Sequence, residues 1–197
     1  MRKQLPVEVD CAGCISNQHC WREEVPPASG FVVQRVKPLE AGELLFAQGA
    51  PFEAPYLLTS GGMSVTELLP GGDERIVAFL VPGDVVGLDS WNLATHRYGA
   101  QAVSAATLCR LRWSSRPRSA ALLRALLSKA SSQFGTTTPW AGLPAVQRVA
   151  AFVADFSRRT DQPMPMTRAQ IGRHLGLAEE TVVRALKAMD RTSAASA

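Results

Sequence analysis

Residues 166–189 read MTRAQIGRHLGLAEETVVRALKAM. Thr167 followed by Gln170 is a capping box, the pairing that satisfies two orphan amides at a helix start, and Ile171 and Leu175 fall on the inward face of the helix it opens. Gly176 supplies the turn that ends it. A second helix from about Ala178 to Met189 puts Val182, Ala185, Leu186 and Met189 on one face and Glu180, Val183, Arg184 and Lys187 on the other. Two short helices joined this way form a helix-turn-helix, whose second helix enters the major groove of DNA. Arg184 can read guanine with its forked guanidinium, Glu180 can accept from a cytosine or adenine amino group, and Val183, read here as exposed, can pack on a thymine methyl. Thr167, Arg168 and Lys187 suit phosphate contacts. The same pattern also fits an ordinary helical hairpin with a solvated charged face, so its context must decide.

Charge supplies part of that context. Residues 116–197 hold 12 Lys+Arg against 5 Asp+Glu, whereas residues 1–115 hold 9 against 12, so the whole chain's net +4 divides into +7 and −3. A basic half of this kind suits a polyanionic partner, because phosphate neutralisation supplies most non-specific nucleic-acid affinity. Upstream of the hairpin the texture is helical. Val146, Val149, Ala150, Val153 and Phe156 mark an amphipathic helix ending near Arg159, followed by the linker DQPMP. Before the break GTTTPWAGLP at residues 135–144, Leu122, Leu126 and Ala130 form a stripe beside Leu123, Leu127 and Phe134. A stripe that wide needs a partner, either the preceding domain or a second subunit.

From Phe31 to Trp113 the chain changes character. Short apolar runs (FVVQRV, ELLFA, YLLTS, MSVTELL, RIVAFL, VVGL, AQAVSA, TLCRLRW) alternate with Gly and Pro-Gly turns, the pattern of an antiparallel sandwich or barrel. With 197 residues and 46% hydrophobic composition, the chain can bury one domain's core or two small ones. No apolar run reaches the roughly 18 residues a bilayer span needs, and the polar start MRKQLPVEVD lacks the apolar middle of a secretory signal. The expectation is a cytoplasmic protein with no membrane partner.

In a reducing compartment, four cysteines point to burial, redox chemistry or metal ligation rather than disulfides. Cys11, Cys14 and Cys20 form a Cys-x2-Cys-x5-Cys loop that can bring three thiolates to one centre, and Cys109, at the end of the strand pattern, can supply a fourth. Soft sulfur ligands select zinc or an iron–sulfur cluster; the 3+1 split with unequal spacing favours the cluster over paired zinc knuckles. Cys109 taken alone also fits plain burial in an apolar strand. A cytosolic redox enzyme using Cys11 and Cys14 is a different class of reading, but such chemistry needs the motif to open a helix beside a βαβ sheet.

These features together resemble the Fnr-type oxygen-responsive regulators of the Crp/Fnr superfamily. The resemblance runs through the cysteine loop, KPLEAGELLFAQGAPFEAPYLLTSGGMSV, GGDERIVAFLVPGDVVGLD, AAFVADFSRRT and the helix-turn-helix itself. It implies an α+β fold: a cluster-binding loop (1–22), an antiparallel β-roll sensor domain of cyclic-nucleotide-binding type (23–115), a dimerisation helix (116–135) and a helix-turn-helix domain (136–197) lacking the family's wing. It also implies a 4Fe-4S cluster on Cys11, Cys14, Cys20 and Cys109, a homodimer joined through Leu122, Leu123, Leu126, Leu127 and Ala130, a palindromic promoter site, and RNA polymerase as a further partner. The family's Glu-x-x-Ser-Arg reader falls on Glu180, Val183 and Arg184, with valine in place of serine. Within the superfamily, cyclic-nucleotide sensors use a Gly-Glu-Leu turn and an Arg-Ser pair; here Gly87-Leu88-Asp89 and His96-Arg97 lack the ribose and phosphate partners. A zinc-stabilised regulator that binds DNA constitutively is the remaining alternative.

Overall fold

A short apolar run flanked by turns can bury its side chains only by pairing with others like it, and the N-terminal half does so in two antiparallel sheets. The computed structural model describes residues 31–113, 140 and 142–195. Its strands are β1 (Phe31–Arg35), β2 (Leu44–Phe46), β3 (Tyr56–Ser60), β4 (Met63–Leu68), β5 (Glu74–Leu80), β6 (Val85–Val86), β7 (Gly99–Ala102) and β8 (Thr107–Trp113). They order as β1-β8-β3-β6 and β2-β7-β4-β5. Each strand overlaps one of the apolar runs, β5 and β7 starting one residue earlier at Glu74 and Gly99, and the sheets close on a core that includes Leu58, Met63, Val65, Leu80, Val86 and Leu108. The opposite face of the first sheet carries Leu57, Val85, Leu88, Cys109 and Leu111, because alternate residues along β8 point to opposite sides.

Among the described residues, three α-helices follow: α1 (Ala145–Arg159), α2 (Arg168–Leu175) and α3 (Glu179–Ala195). In α1 the inward face is Val149, Phe152 and Phe156 with Asp155, whereas Val146 is 48% exposed. The apolar stripe expected for this helix is therefore rotated: Phe152, two turns into the helix, replaces Val146 near its start. The last helix also runs on to Ala195, six residues beyond the Met189 expected, since Thr192-Ser193-Ala194-Ala195 holds no proline or glycine to stop it. The expected cluster loop 1–22, the stripe Leu122, Leu123, Leu126, Leu127 and Ala130, and the whole 116–135 helix reading lie outside the described residues. No helix among the described residues is long and apolar enough to cross a membrane.

The two halves share a core. A bulge in β5 makes Val65 face Ala78 while Thr66 faces Ile76, leaving Val77 as the extra residue. Ile76 and Phe79, three apart, therefore reach the same side, and with Val81 they join Val149, Phe152, Phe156, Ile171 and Val182 of the helices. The ring of His174 sits on this seam, 5.2 Å from Phe79 and 5.4 Å from Phe152 between centroids. Its Nδ1 donates to the Ile76 carbonyl at 3.1 Å.

Burial pushes the His174 imidazole below its ordinary 6.5; the Arg159 charge adds to the effect, and the Ile76 bond opposes it. Burial also lowers His96, with Asp89 opposing. The unfolded chain then binds protons more readily than the folded one, so this stability is complete above about pH 6.5 and is lost as pH falls through the lowered folded values. Urea midpoints should drop between about pH 8 and about pH 5.5, and the double substitution His96→Phe with His174→Phe should shrink that difference; a difference of the same size in the variant would exclude the two imidazoles as its source.

Candidate nucleic-acid interface

The Thr167 hydroxyl accepts from Gln170 N–H at 3.2 Å, and Gln170 Oε1 accepts from Thr167 N–H at 2.8 Å, completing the capping box that starts α2. At the other end Gly176 adopts φ 64°, a left-handed cap that side chains resist, and Leu177 N–H reaches back to the Gly172 carbonyl at 2.9 Å. Arg148 of α1 donates from Nη1 to the Leu175 carbonyl at 2.9 Å, satisfying another of α2's terminal acceptors. Gly172 allows the turn to fold back this closely, since a Cβ there would lie 2.6 Å from the Leu177 carbonyl oxygen. α2 and α3 are thus set against each other by backbone contacts, with Ile171, Leu175, Val182 and Ala185 buried between them and α1.

This leaves one face of α3 outside. Glu180, Arg184 and Lys187 are exposed, as the periodicity required, and Arg168 is exposed at the start of α2. Val183 is half-buried rather than exposed: it lies at the margin of the face, where part of its surface is covered and part remains open. Thr167 keeps its hydroxyl proton for an outside acceptor, because its oxygen serves the cap as an acceptor only. Arg191 was not singled out from the sequence, yet it continues the row of Glu180, Arg184 and Lys187 on the longer α3, about 10 Å along the axis from Arg184. The signal was present in the 184, 187, 191 spacing and was lost by ending the helix at Met189. Among the described residues none of Arg168, Arg184, Lys187 or Arg191 is tied into an ion pair, so their donors remain available to an anion.

On the sensor side, Cys109 is buried in the middle strand pairing of β8, opposite Arg35 of β1 and Leu57 of β3, with Val33 and Trp91 nearby. The other three cysteines lie outside the described residues, and no group of three or more His, Cys, Asp or Glu side chains able to hold a metal occurs among the described ones. Gly87 opens a short 3-10 turn at Leu88–Ser90. Beneath it the buried His96 ring stacks on Phe46 with centroids 3.5 Å apart, and a Cβ at Gly87 would come within 3.2 Å of His96 Cε1. Arg97 is exposed over the Tyr98 ring, and Asp89 is bonded by the Ser90 hydroxyl at 2.8 Å.

Comparison with known proteins agrees with this division. The cyclic nucleotide-binding domain model matches residues 36–115, and the Crp-like helix-turn-helix domain model matches residues 147–195. Transcriptional activator protein Anr of Pseudomonas protegens is 31% identical over 169 residues, covering 78% of this chain and 69% of its own. The anaerobic regulatory protein of Haemophilus influenzae is 27% identical over 198 residues, covering 90% and 77%. The structure of FixK2 from Bradyrhizobium japonicum superposes with a TM-score of 0.70 at 30% identity, over 82% of this chain and 86% of that one. The architecture and the helix-turn-helix define a DNA-binding transcriptional regulator. The chain belongs to the Crp/Fnr family. Its relatives are regulators, which overturns the reading of Cys11 and Cys14 as the centre of a redox enzyme.

Gly172 offers a direct test of the reading head. Helix propensity alone makes Gly172→Ala stabilising by about 1 kcal/mol. The contact with a backbone oxygen opposes it, and overpacking of this kind costs about 1–3 kcal/mol. The variant should melt lower and bind DNA less tightly, whereas a raised melting temperature would mean the turn has room that the geometry denies.

Proposed function

We propose that this regulator is an oxygen-responsive switch in which Cys11, Cys14, Cys20 and Cys109 hold one 4Fe-4S cluster. The observation that carries the reading is the donor set: three cysteines closely spaced in the sequence, and a fourth on a strand paired on both sides, Cys109, which gives the set a rigid anchor. The apolar surroundings of Cys109 suit a sulfur-ligated cluster, whose potential and lifetime depend on solvent exclusion. When bound, the cluster supplies iron–thiolate bonds that oxygen can break. Relatives whose names describe anaerobic regulation support the same reading.

Cluster occupancy favours a homodimer paired through Leu122, Leu123, Leu126, Leu127 and Ala130, because a ligand shifts an equilibrium only by binding one state better than the other. The dimer works in the cytoplasm on a palindromic promoter site, its two α3 helices entering successive major grooves, and acts with RNA polymerase there. In this reading the chain divides into the loop 1–22, sensor 23–115, dimerisation helix 116–135 and reading domain 136–197. Arg184 reads guanine, Glu180 a base amino group and Val183 a methyl, while Thr167, Arg168 and Lys187 hold phosphates.

Purification under argon should give a brown protein with matching iron and sulfide that bleaches in air, and Cys109→Ser should retain neither. A colourless protein carrying zinc would replace the cluster with a structural metal. Sedimentation before and after air exposure should show the mass fall to that of the monomer.

For DNA, selection from random duplexes should return a two-fold symmetric site. Arg184→Ala should then weaken that site by about 1–3 kcal/mol and flatten preference at one base pair. Arg168→Ala should weaken all sequences alike and make the salt dependence shallower. Equal losses on specific and random DNA for Arg184→Ala would remove it as a base reader.

A further inference from the structure

Among the described residues, β5 contributes buried side chains to two cores at once: Ala78 and Leu80 to the core between the sheets, Ile76 and Phe79 to the core of the reading domain. The reading domain grips this strand at two points. At its start, His174 of α2 donates to the Ile76 carbonyl, which lies at the Val77 bulge where ladder pairing is interrupted. At its end, Arg159 of α1 donates from Nη1 to the Phe79 carbonyl at 3.2 Å and from Nη2 to the carboxylate of Asp84, in the turn that follows β5. Asp84 is itself fixed, for the same oxygen accepts Val81 N–H at 2.9 Å, and Asp155 stands 4.0 Å from the guanidinium.

One grip would leave a pivot, but two grips along a strand set an angle. The bonds are sheltered as well: Asp84 and Asp155 are buried and the Arg159 side chain is only 21% exposed, so solvent screens them little. The third polar link, Arg173 with Glu74, is half exposed on both sides and adds little orientation. Because α2 and α3 are locked through Gly172 and Leu177, an angle imposed on α2 is imposed on α3.

We propose that His174 and Arg159 are positioning residues that set the angle of the reading helix on the sensor domain through β5, so that strand packing in the sensor and DNA binding at α3 influence each other through this joint. The proposal rests on α3 reading DNA and is independent of the cluster.

The test uses the full chain with the duplex recovered by selection. In the wild type, DNA should slow amide exchange along β5, although β5 belongs to the core on which α3's buried face packs and not to α3's exposed face. His174→Leu should abolish that response and weaken DNA binding at least about fivefold while leaving the preferred sequence unchanged. His174→Asn, which keeps an N–H donor near the position of Nδ1, should restore most of both. Arg159→Lys, milder in volume and equal in charge, should give an intermediate loss, and it serves if His174→Leu fails to fold.

Wild-type binding with no change in β5 exchange would overturn the joint. So would folded His174→Leu or Arg159→Lys that binds and responds like the wild type. Absence of DNA binding by the wild type would instead strike at α3 as the reader, which separates the two failures.

Discussion

The architecture depends on one strand satisfying two cores. A regular β-strand sends alternate side chains to opposite faces, so Ile76 and Phe79 could not both face the helices if β5 ran straight. The extra residue at Val77 changes the parity, gives the helices a two-residue apolar footing, and leaves Ala78 and Leu80 for the sheets. The helical domain is short, and the burial of Phe152, Phe156 and Ile171 is completed by residues borrowed from the sheet. The sensor and the reader are therefore parts of one packed body across this seam, in keeping with the close packing that makes protein interiors shift between discrete arrangements rather than deform continuously.

The reading head is built to be stiff where it meets DNA. Its turn is closed by backbone-to-backbone bonds and by a glycine where a methyl group has no room, so few rotatable groups lie between α2 and α3. Rigid presentation matters because base discrimination relies on bidentate geometry that a loose helix cannot hold. Acidic Glu179 and Glu180 stabilise the first turn of α3 through the helix dipole, compensating in part for Ala178 at a position where Ser or Thr would cap better. The basic row Arg184, Lys187 and Arg191 then carries the positive potential along the rest of the exposed face.

Much of this was legible in the residues. The eight apolar runs became eight strands because most are bounded by Gly or Pro-Gly turns, with neither between the last two, and the capping box with Gly176 marked both ends of α2. Legibility failed where a long-range partner decides. Val146 and Phe152 are equally apolar, and only the seat offered by Phe79 and Trp140 chooses Phe152. The Val77 bulge leaves no local trace, since RIVAFL reads as a continuous strand, and the roles of His174 and Arg159 follow from carbonyls and a carboxylate some 75 to 98 residues away in sequence. Of the candidate site, the outward face of α3 was visible in its periodicity, although Val183 turned out half-covered and Arg191 lay past the expected end.

Cys109 lies on the sheet side of that seam, on a strand whose two faces serve different cores. It sits on β8 between β1 and β3, at the centre of a sheet and not on a free edge. Its neighbour Leu108 points the other way into the core between the sheets, where Ala78 and Leu80 of β5 also lie. From there the packed path continues across the bulge to Ile76 and Phe79, to His174 and α2, and so to α3. Contiguity of this kind fixes where coupling can run, while its size depends on how differently each end packs in the two states. An edge strand could shift with little cost to its neighbours. A strand paired on both sides cannot, because the packed layer it belongs to also reaches β5 and the footing of the reading head.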